Sequence, residues 1–256
     1  MSNILITGAN QGIGYYFVEK ALKNGHRVAV LDLNTDHLEK LAPAFPDKLF
    51  YYRADVCDEL GMRAVIADVI EKFETIDIAI HNACLCTFER EAATGFSVYE
   101  QVFDVNYYGA LRLVKCVVPY MRAQKHGKCI FTVSGVGVTG FIGISPYAST
   151  KGALEALAKC LNLEYAADNI SFHIIHPPLT RTGSSAPLPV PKEFMADPKK
   201  VGYGLAKHIA SKRFIICHSF GQRIQTMACY FFPVKMGKLM SKMTMRYINQ
   251  TNLEKK

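Results

Sequence analysis

The sequence predicts an α/β fold: one doubly wound parallel sheet of about seven strands, with helices on both faces and a helical extension at the C-terminus. Three observations predict it. Short, nearly continuous apolar runs recur along the chain, longer stretches of helical period separate most of them, and a glycine-rich turn joins the first run to the first helix. The apolar runs are residues 4–7, 27–31, 49–53, 76–80, 129–133, 172–175 and 214–217. Strands covered by helices on both faces lose the apolar/polar alternation of a half-exposed sheet, and these runs lack it. The helical stretches are residues 15–23, 60–73, 101–122 and 147–167. At 256 residues, half of them apolar, the chain suffices for one large core, and no linker, repeat or low-complexity tract divides it.

Composition narrows the function classes. The formal net charge is +8, and much of the excess lies late, with nine Lys or Arg against Glu254 alone from Lys212 to Lys256. No nucleic-acid-binding module accompanies that charge, so a nucleic-acid partner is not expected. The eight cysteines contain no Cys-x-x-Cys pair, so neither a zinc site nor a disulfide framework is expected; free thiols in a reducing cytosol are. The chain enters a strand at once and no apolar run reaches the length of a membrane span, so the expectation is a cytoplasmic protein without a signal peptide.

The first strand runs into Thr7-Gly8-Ala9-Asn10-Gln11-Gly12-Ile13-Gly14. In a strand-turn-helix setting this is a phosphate cradle. Gly8 permits the sharp turn, Gly12 clears the approach of backbone to a pyrophosphate, and Gly14 lets the helix pack on the sheet. The helix N-terminus offers N–H groups and partial positive charge. Asp32 ends the second strand, where a carboxylate accepts from a ribose diol and repels a 2′-phosphate. Leu33 follows it, and the glycine turn holds no Lys or Arg, which favours NAD(H) over NADP(H). Asp55 and Val56 follow the third strand and suit an adenine ring; a charge at a helix N-terminus is an equal reading of Asp55.

Tyr147 and Lys151 stand four apart, on one face of a helix. A tyrosine titrates near pH 10, and a neighbouring ammonium favours its phenolate. Lys151 is therefore expected to lower the pKa of Tyr147. Ser134, at the end of the fifth run, is placed to hold a substrate oxygen.

Together these residues resemble the short-chain dehydrogenase/reductase family, of its compact, Rossmann-like type. The Thr7–Gly14 turn, Asn106 in Val105-Asn106-Tyr107, Ser134 thirteen residues before Tyr147, and the Tyr147/Lys151 pair all carry the likeness, which spans roughly residues 1–215. The resemblance implies a catalytic set of Asn106, Ser134, Tyr147 and Lys151. Tyr147 would be the general acid/base and Ser134 would polarise the carbonyl. Lys151 would also bind the nicotinamide ribose, and Asn106 would hold a relay water. It implies a cofactor site that includes Asn10, Gln11, Ile13, Asn82, Ala83, Pro177 and Thr182 beside the glycines and acids above. It also implies a homodimer or homotetramer. Two departures stand out: His81-Asn82-Ala83-Cys84 where the family usually reads Asn-Asn-Ala-Gly, and Pro177-Pro178 where it usually reads Pro-Gly. We expect a local adjustment at Cys84 and a stiffened loop entry at Pro178.

The domain is thus expected over 1–217, with a substrate lid at 182–198 and a basic amphipathic extension at 218–256. The lid's Ala186, Leu188, Pro189, Val190, Phe194 and Met195, with Phe141, Ile142 and Ile144, suggest an apolar alcohol or ketone, steroid- or lipid-like. In the extension, Met236, Leu239, Met240, Met243 and Tyr247 form one stripe beside Lys235, Lys238, Lys242 and Arg246. Such a helix suits an anionic membrane surface, a neighbouring subunit or the substrate mouth. The rival readings are a sugar-nucleotide epimerase and a catalytically silent dinucleotide sensor or membrane-surface module.

Overall fold

The computed structural model describes residues 1–253. Seven strands, β1 (Asn3–Thr7), β2 (Arg27–Asp32), β3 (Leu49–Arg53), β4 (Ile78–His81), β5 (Gly127–Thr132), β6 (Ile170–Ile175) and β7 (Ile215–Ile216), form one sheet in the order β3-β2-β1-β4-β5-β6-β7. Every pair is parallel. Parallel neighbours need crossovers, and the helices supply them. The helices are α1 (Gly12–Lys23), α2 (Asp36–Leu41), α3 (Glu59–Phe73), α4 (Phe96–Phe103), α5 (Gly109–Ala123), α6 (Val136–Thr139), α7 (Ser145–Glu164), α8 (Pro198–Lys207), α9 (Phe220–Phe231) and α10 (Pro233–Leu253).

Each face of the sheet has its own core. One joins Leu5, Ala29, Phe131 and Phe172 to Ile66 and Val69 of α3, Leu113 and Val117 of α5, and Leu154 and Ala158 of α7. The other joins Ile4, Ile6, Val28 and Ile130 to Phe17 and Val18 of α1 and Val201 and Leu205 of α8. Adjacent strand residues therefore go to opposite cores, which is why the strands read as unbroken apolar runs. Burying each such aliphatic side chain contributes about 1.5–3 kcal/mol. The chain order reverses between β1 and β4, so the crevice of a doubly wound sheet opens above their carboxyl ends.

Two expectations are corrected in detail. The periodic stretch at 101–122 is helical throughout but not uniform: Asp104–Tyr108 widens into a π-helical segment between α4 and α5. A π segment is a single-turn insertion, and the one-residue phase shift it brings is too local to be read from the period of a long apolar stretch. In the extension, the single apolar stripe divides. Leu239 and Met243 are exposed, whereas Met236 and Met240 are half-buried.

His81 and His176 sit fully buried at the ends of β4 and β6. Burial, aided for His81 by the charge of Lys151, pushes them down from 6.5 to about 3 and about 4 respectively. Both are neutral when folded and protonate more readily when unfolded. Their contribution to stability is complete above pH 6.5 and lost as the pH falls toward those values. The melting temperature is therefore expected to drop across this window, and His81→Asn to flatten the slope in a thermal scan against pH.

Candidate active site

A cavity of about 570 Å³ opens above the carboxyl ends of the strands. Its wall carries Gly8, Gln11, Gly12, Ile13, Asp32, Asp55, Val56, Asn82, Ala83, Ser134, Tyr147, Lys151, Pro177 and Thr182. Of the residues singled out from the sequence for catalysis or cofactor binding, Asn10, Gly14 and Asn106 are not on that wall. Of the apolar residues expected around the substrate, Phe141, Ile144 and Leu188 are on it, whereas Ile142, Ala186, Pro189, Val190, Phe194 and Met195 are not, and Phe194 is exposed.

At one end, Gly8 and Gly12 take φ of +66° and +62°, a left-handed conformation that favours glycine. A Cβ on Gly8 would lie 2.4 Å from the Cα of Ala83, and one on Gly12 would meet Thr182 at 3.1 Å. The turn is therefore seated against the β4 loop and opposite Thr182. A Cβ on Gly14 would lie 2.8 Å from the Cα of Ala9, which shows how closely α1 packs on the turn. Asn10 is structural: its Oδ1 accepts from the N–H of His37 at 3.0 Å and of Leu38 at 3.3 Å, which fastens the turn to α2. Its own N–H donates to Asp32 Oδ2 at 2.8 Å, and Asn34 N–H donates to Asp32 Oδ1 at 3.2 Å. The Asp32 carboxylate is thus held on the cavity wall by two backbone donors. Asp55 Oδ1 accepts from Cys57 N–H at 2.9 Å. Thr182 caps the short turn Gly183–Ser185, and its N–H donates to Ser185 Oγ at 3.0 Å.

At the other end, α7 carries Tyr147 and Lys151. Lys151 is 1 % exposed, its Nζ donates to the Thr132 carbonyl at 2.7 Å, and it lies 5.3 Å from the Tyr147 ring centroid. The expected fall in the Tyr147 pKa is not what the free protein has. Burial drives it well above the ordinary 10.0, the Cys84 and Cys86 sulfurs push the same way, and the Ser134 hydroxyl pulls it down. Desolvation of the phenolate outweighs the Lys151 ammonium, so Tyr147 rests as the neutral phenol.

Asn106 is wholly buried on the π-helical segment. Its Oδ1 accepts from Leu85 N–H at 2.7 Å; its Nδ2 donates to the Leu85 carbonyl and to Thr150 Oγ1, both at 3.0 Å. The side chain that the resemblance assigns to a relay water is here engaged in bracing the β4 loop against α7.

Sequence reasoning missed three contributions. Cys86 reaches the cavity beside Tyr147 together with Cys84, which the sequence marks as a departure without its link to the phenol; the Cys-x-Cys spacing in a strand-end loop was the available signal. Gln222, Gln225, Thr226 and Cys229 of α9 and Met240 of α10 also line the cavity, so the extension closes the mouth. The spacing of Gln222, Thr226 and Cys229 at helical intervals was readable, but not its target. Third, Tyr230 fastens α9 from behind: its hydroxyl meets His176 Nε2 at 3.1 Å.

A family model described as short chain dehydrogenase matches residues 2–191. The chain belongs to the short-chain dehydrogenase family. This short-chain dehydrogenase is 33 % identical over 186 residues to the 2-(R)-hydroxypropyl-CoM dehydrogenase of Xanthobacter autotrophicus, covering 70 % of this chain and 74 % of that one. It is 31 % identical over 213 residues to the oxidoreductase UcpA of Escherichia coli, covering 82 % and 80 %. Among solved structures, a short-chain dehydrogenase from Streptomyces avermitilis superposes with TM-score 0.80 at 24 % identity, over 90 % of this chain and 92 % of that one. A 3-ketoacyl-(acyl-carrier-protein) reductase from Brucella melitensis, solved with NADH, gives 0.76 at 19 %, over 85 % and 94 %. This dehydrogenase is accordingly an oxidoreductase of a family that binds a nicotinamide dinucleotide. Its described residues contain no group of three His, Cys, Asp or Glu that could hold a metal ion, and no helix long and apolar enough to cross a membrane. All eight cysteines are free.

Truncating Asn106 to Ala leaves the Leu85 backbone groups without their partner in a buried setting. The expected cost is about 2–3 kcal/mol of unfolding free energy, read by denaturant titration.

Proposed function

We propose that this protein is an NAD(H)-dependent oxidoreductase that interconverts a secondary alcohol and a ketone on an apolar substrate, with Tyr147 as general acid/base. The single observation that carries the reading is one continuous cavity lined by the glycine turn and the Asp32 carboxylate at one end and by Ser134, Tyr147 and Lys151 at the other.

The residues present fit a dinucleotide. The cradle is free of side chains at Gly8 and Gly12, and the Asp32 carboxylate is held by two backbone donors. The turn from Gly8 to Gly14, with the N-terminus of α1, would hold the pyrophosphate, and Asp32 the adenosine ribose. Asp55 and Val56 would flank the adenine. Asn82, Ala83, Pro177 and Thr182 would line the nicotinamide end, with Tyr147 and Lys151 at its ribose. When bound, the dinucleotide supplies or accepts a hydride. Support for NAD(H) comes from Asp32, from exposed Leu33 beside it, and from the cavity wall, whose only Lys or Arg among the described residues is Lys151. A 2′-phosphate would meet a carboxylate and no cation.

The neutral phenol of Tyr147 is the acid form that a ketone requires: it donates its proton to the carbonyl oxygen as that oxygen gains charge. In the reverse direction the phenolate takes the alcohol proton, and Lys151, fixed by Thr132, stabilises that anion. The Ser134 hydroxyl, beside the phenol, donates to the same oxygen. Apolar walls from Val136, Phe141, Ile144, Leu188, Cys229 and Met240 support an apolar substrate. They also exclude water, which strengthens the electrostatics at the reacting oxygen.

Turnover is expected with NAD(H) on a panel of steroid, fatty and small secondary alcohols and ketones, followed at the nicotinamide absorbance. Silence across that panel with NADH still bound would favour the dinucleotide-sensor reading. Tyr147→Phe is expected to lower kcat by about 10²–10⁴ while NADH binding, read by fluorescence, persists. Asp32→Ser combined with Leu33→Arg is expected to move the kcat/KM ratio toward NADP(H) by at least about tenfold, because it exchanges repulsion for a phosphate-binding cation.

A further inference from the structure

The outer surface of the C-terminal helices carries groups that the fold does not use. On α9, Phe220, Ile224, Met227 and Phe231 recur at spacings of four, three and four and are all exposed, Phe220 by 77 % and Phe231 by 70 %. The opposite face of the same helix, Gln222, Thr226 and Cys229, is buried on the cavity. The corner into α10 exposes Phe232 and Val234. On α10, Gly237 lies close under the Thr139 and Gly140 carbonyls, and Ser241 Oγ accepts from Ile142 N–H at 3.1 Å, so that side faces the body. Leu239 and Met243 point to solvent. Apolar exposure this dense marks an interaction surface.

The charge that the C-terminal segment itself carries has one sign. Residues 198–253 contain ten Lys or Arg and no Asp or Glu. Arg223, Lys235, Lys238, Lys242 and Arg246 are exposed along α9 and α10, and none forms an ion pair among the described residues.

We propose that this face docks on an anionic lipid bilayer, with α9 and α10 lying in the headgroup region. Aromatic and aliphatic side chains enter the acyl boundary while lysines and arginines meet anionic headgroups, which satisfies both halves of the surface at once. A second copy of the chain packed symmetrically on the same face would bring like charges together. The helices that dock outward with Phe231 and Leu239 line the cavity inward with Cys229 and Met240. An apolar substrate would therefore pass from bilayer to cavity beneath them. That consequence rests on the proposed apolar substrate; the docking does not.

The test uses the full chain and vesicles, without turnover. The wild-type chain is expected to co-sediment with equimolar phosphatidylglycerol/phosphatidylcholine vesicles, to bind pure phosphatidylcholine at least about tenfold more weakly, and to release in about 0.5 M NaCl. The joint variant Lys235→Glu, Lys238→Glu, Lys242→Glu is expected to lose binding by at least about tenfold. The chain has no tryptophan, so Phe231→Trp is a single reporter: its emission is expected to shift to the blue, and brominated lipid to quench it, only when anionic vesicles are added. A chain that stays in the supernatant with both vesicles would overturn the proposal. So would binding indifferent to salt and to the charge reversals, or a Trp emission already blue in buffer and accompanied by a dimer mass, which would assign the face to a second copy.

Discussion

One chain of hydrogen bonds across the carboxyl edge of the sheet holds the two ends of the site in register. Asn82 Nδ2 donates to the Gly8 carbonyl at 2.6 Å, Thr132 Oγ1 donates to Asn82 Oδ1 at 3.2 Å, and Lys151 Nζ donates to the Thr132 carbonyl at 2.7 Å. Thr7 Oγ1 adds two acceptor contacts, from the N–H groups of Asn82 and Ala83 at 3.2 Å each. The glycine turn of β1, the end of β4, the end of β5 and the helix bearing Tyr147 are thereby one unit. The links are part-buried, and there an unmade polar contact costs more than a made one gains. The arrangement is consequently rigid, and a 2.4 Å clearance at Gly8 leaves no room for a side chain to intervene.

Around this unit the molecule builds opposing electrostatic demands. Burial holds Tyr147 as a phenol and the buried Lys151 holds a charge close to its ring. Two neighbours of opposite preference keep the proton on the tyrosine at rest and limit the cost of removing it. The Cys84 and Cys86 thiols of the β4 loop stand beside the phenol. Cys84 therefore does more than occupy a position where glycine was expected: it changes the surroundings of the phenol. Asn106 fixes that loop through both backbone groups of Leu85, the residue between the two cysteines.

Much of this was legible in the sequence because it is local. Apolar runs mark strands whose two faces are both covered, glycines mark turns with left-handed backbone, and Tyr147 and Lys151 share a helix face by spacing alone. The seven strands fall where those runs lie, with ends displaced by one or two residues because edge hydrogen bonds depend on partner strands. The π-helical segment was not legible: it is a single widened turn, whose phase shift is lost within a long helical period. Nor was the sign of the Tyr147 shift, since the number of atoms packed around a phenol depends on elements far apart in the chain.

By itself the sequence determined the fold class, the glycine turn after the first strand, the placing of Asp32 at the end of the second and the Tyr147/Lys151 pair on one helix face. Each follows from short-range backbone sterics, side-chain period or residue chemistry. Only the tertiary structure decided that the glycine turn and the pair face one cavity, that Asn10 braces and does not line it, and that Gln222, Thr226, Cys229 and Met240 of the C-terminal helices join its lining. An amphipathic helix specifies which of its faces seeks cover but not what provides it. That choice is made by long-range packing, which buries one side of α9 on the cavity and leaves the other side to solvent.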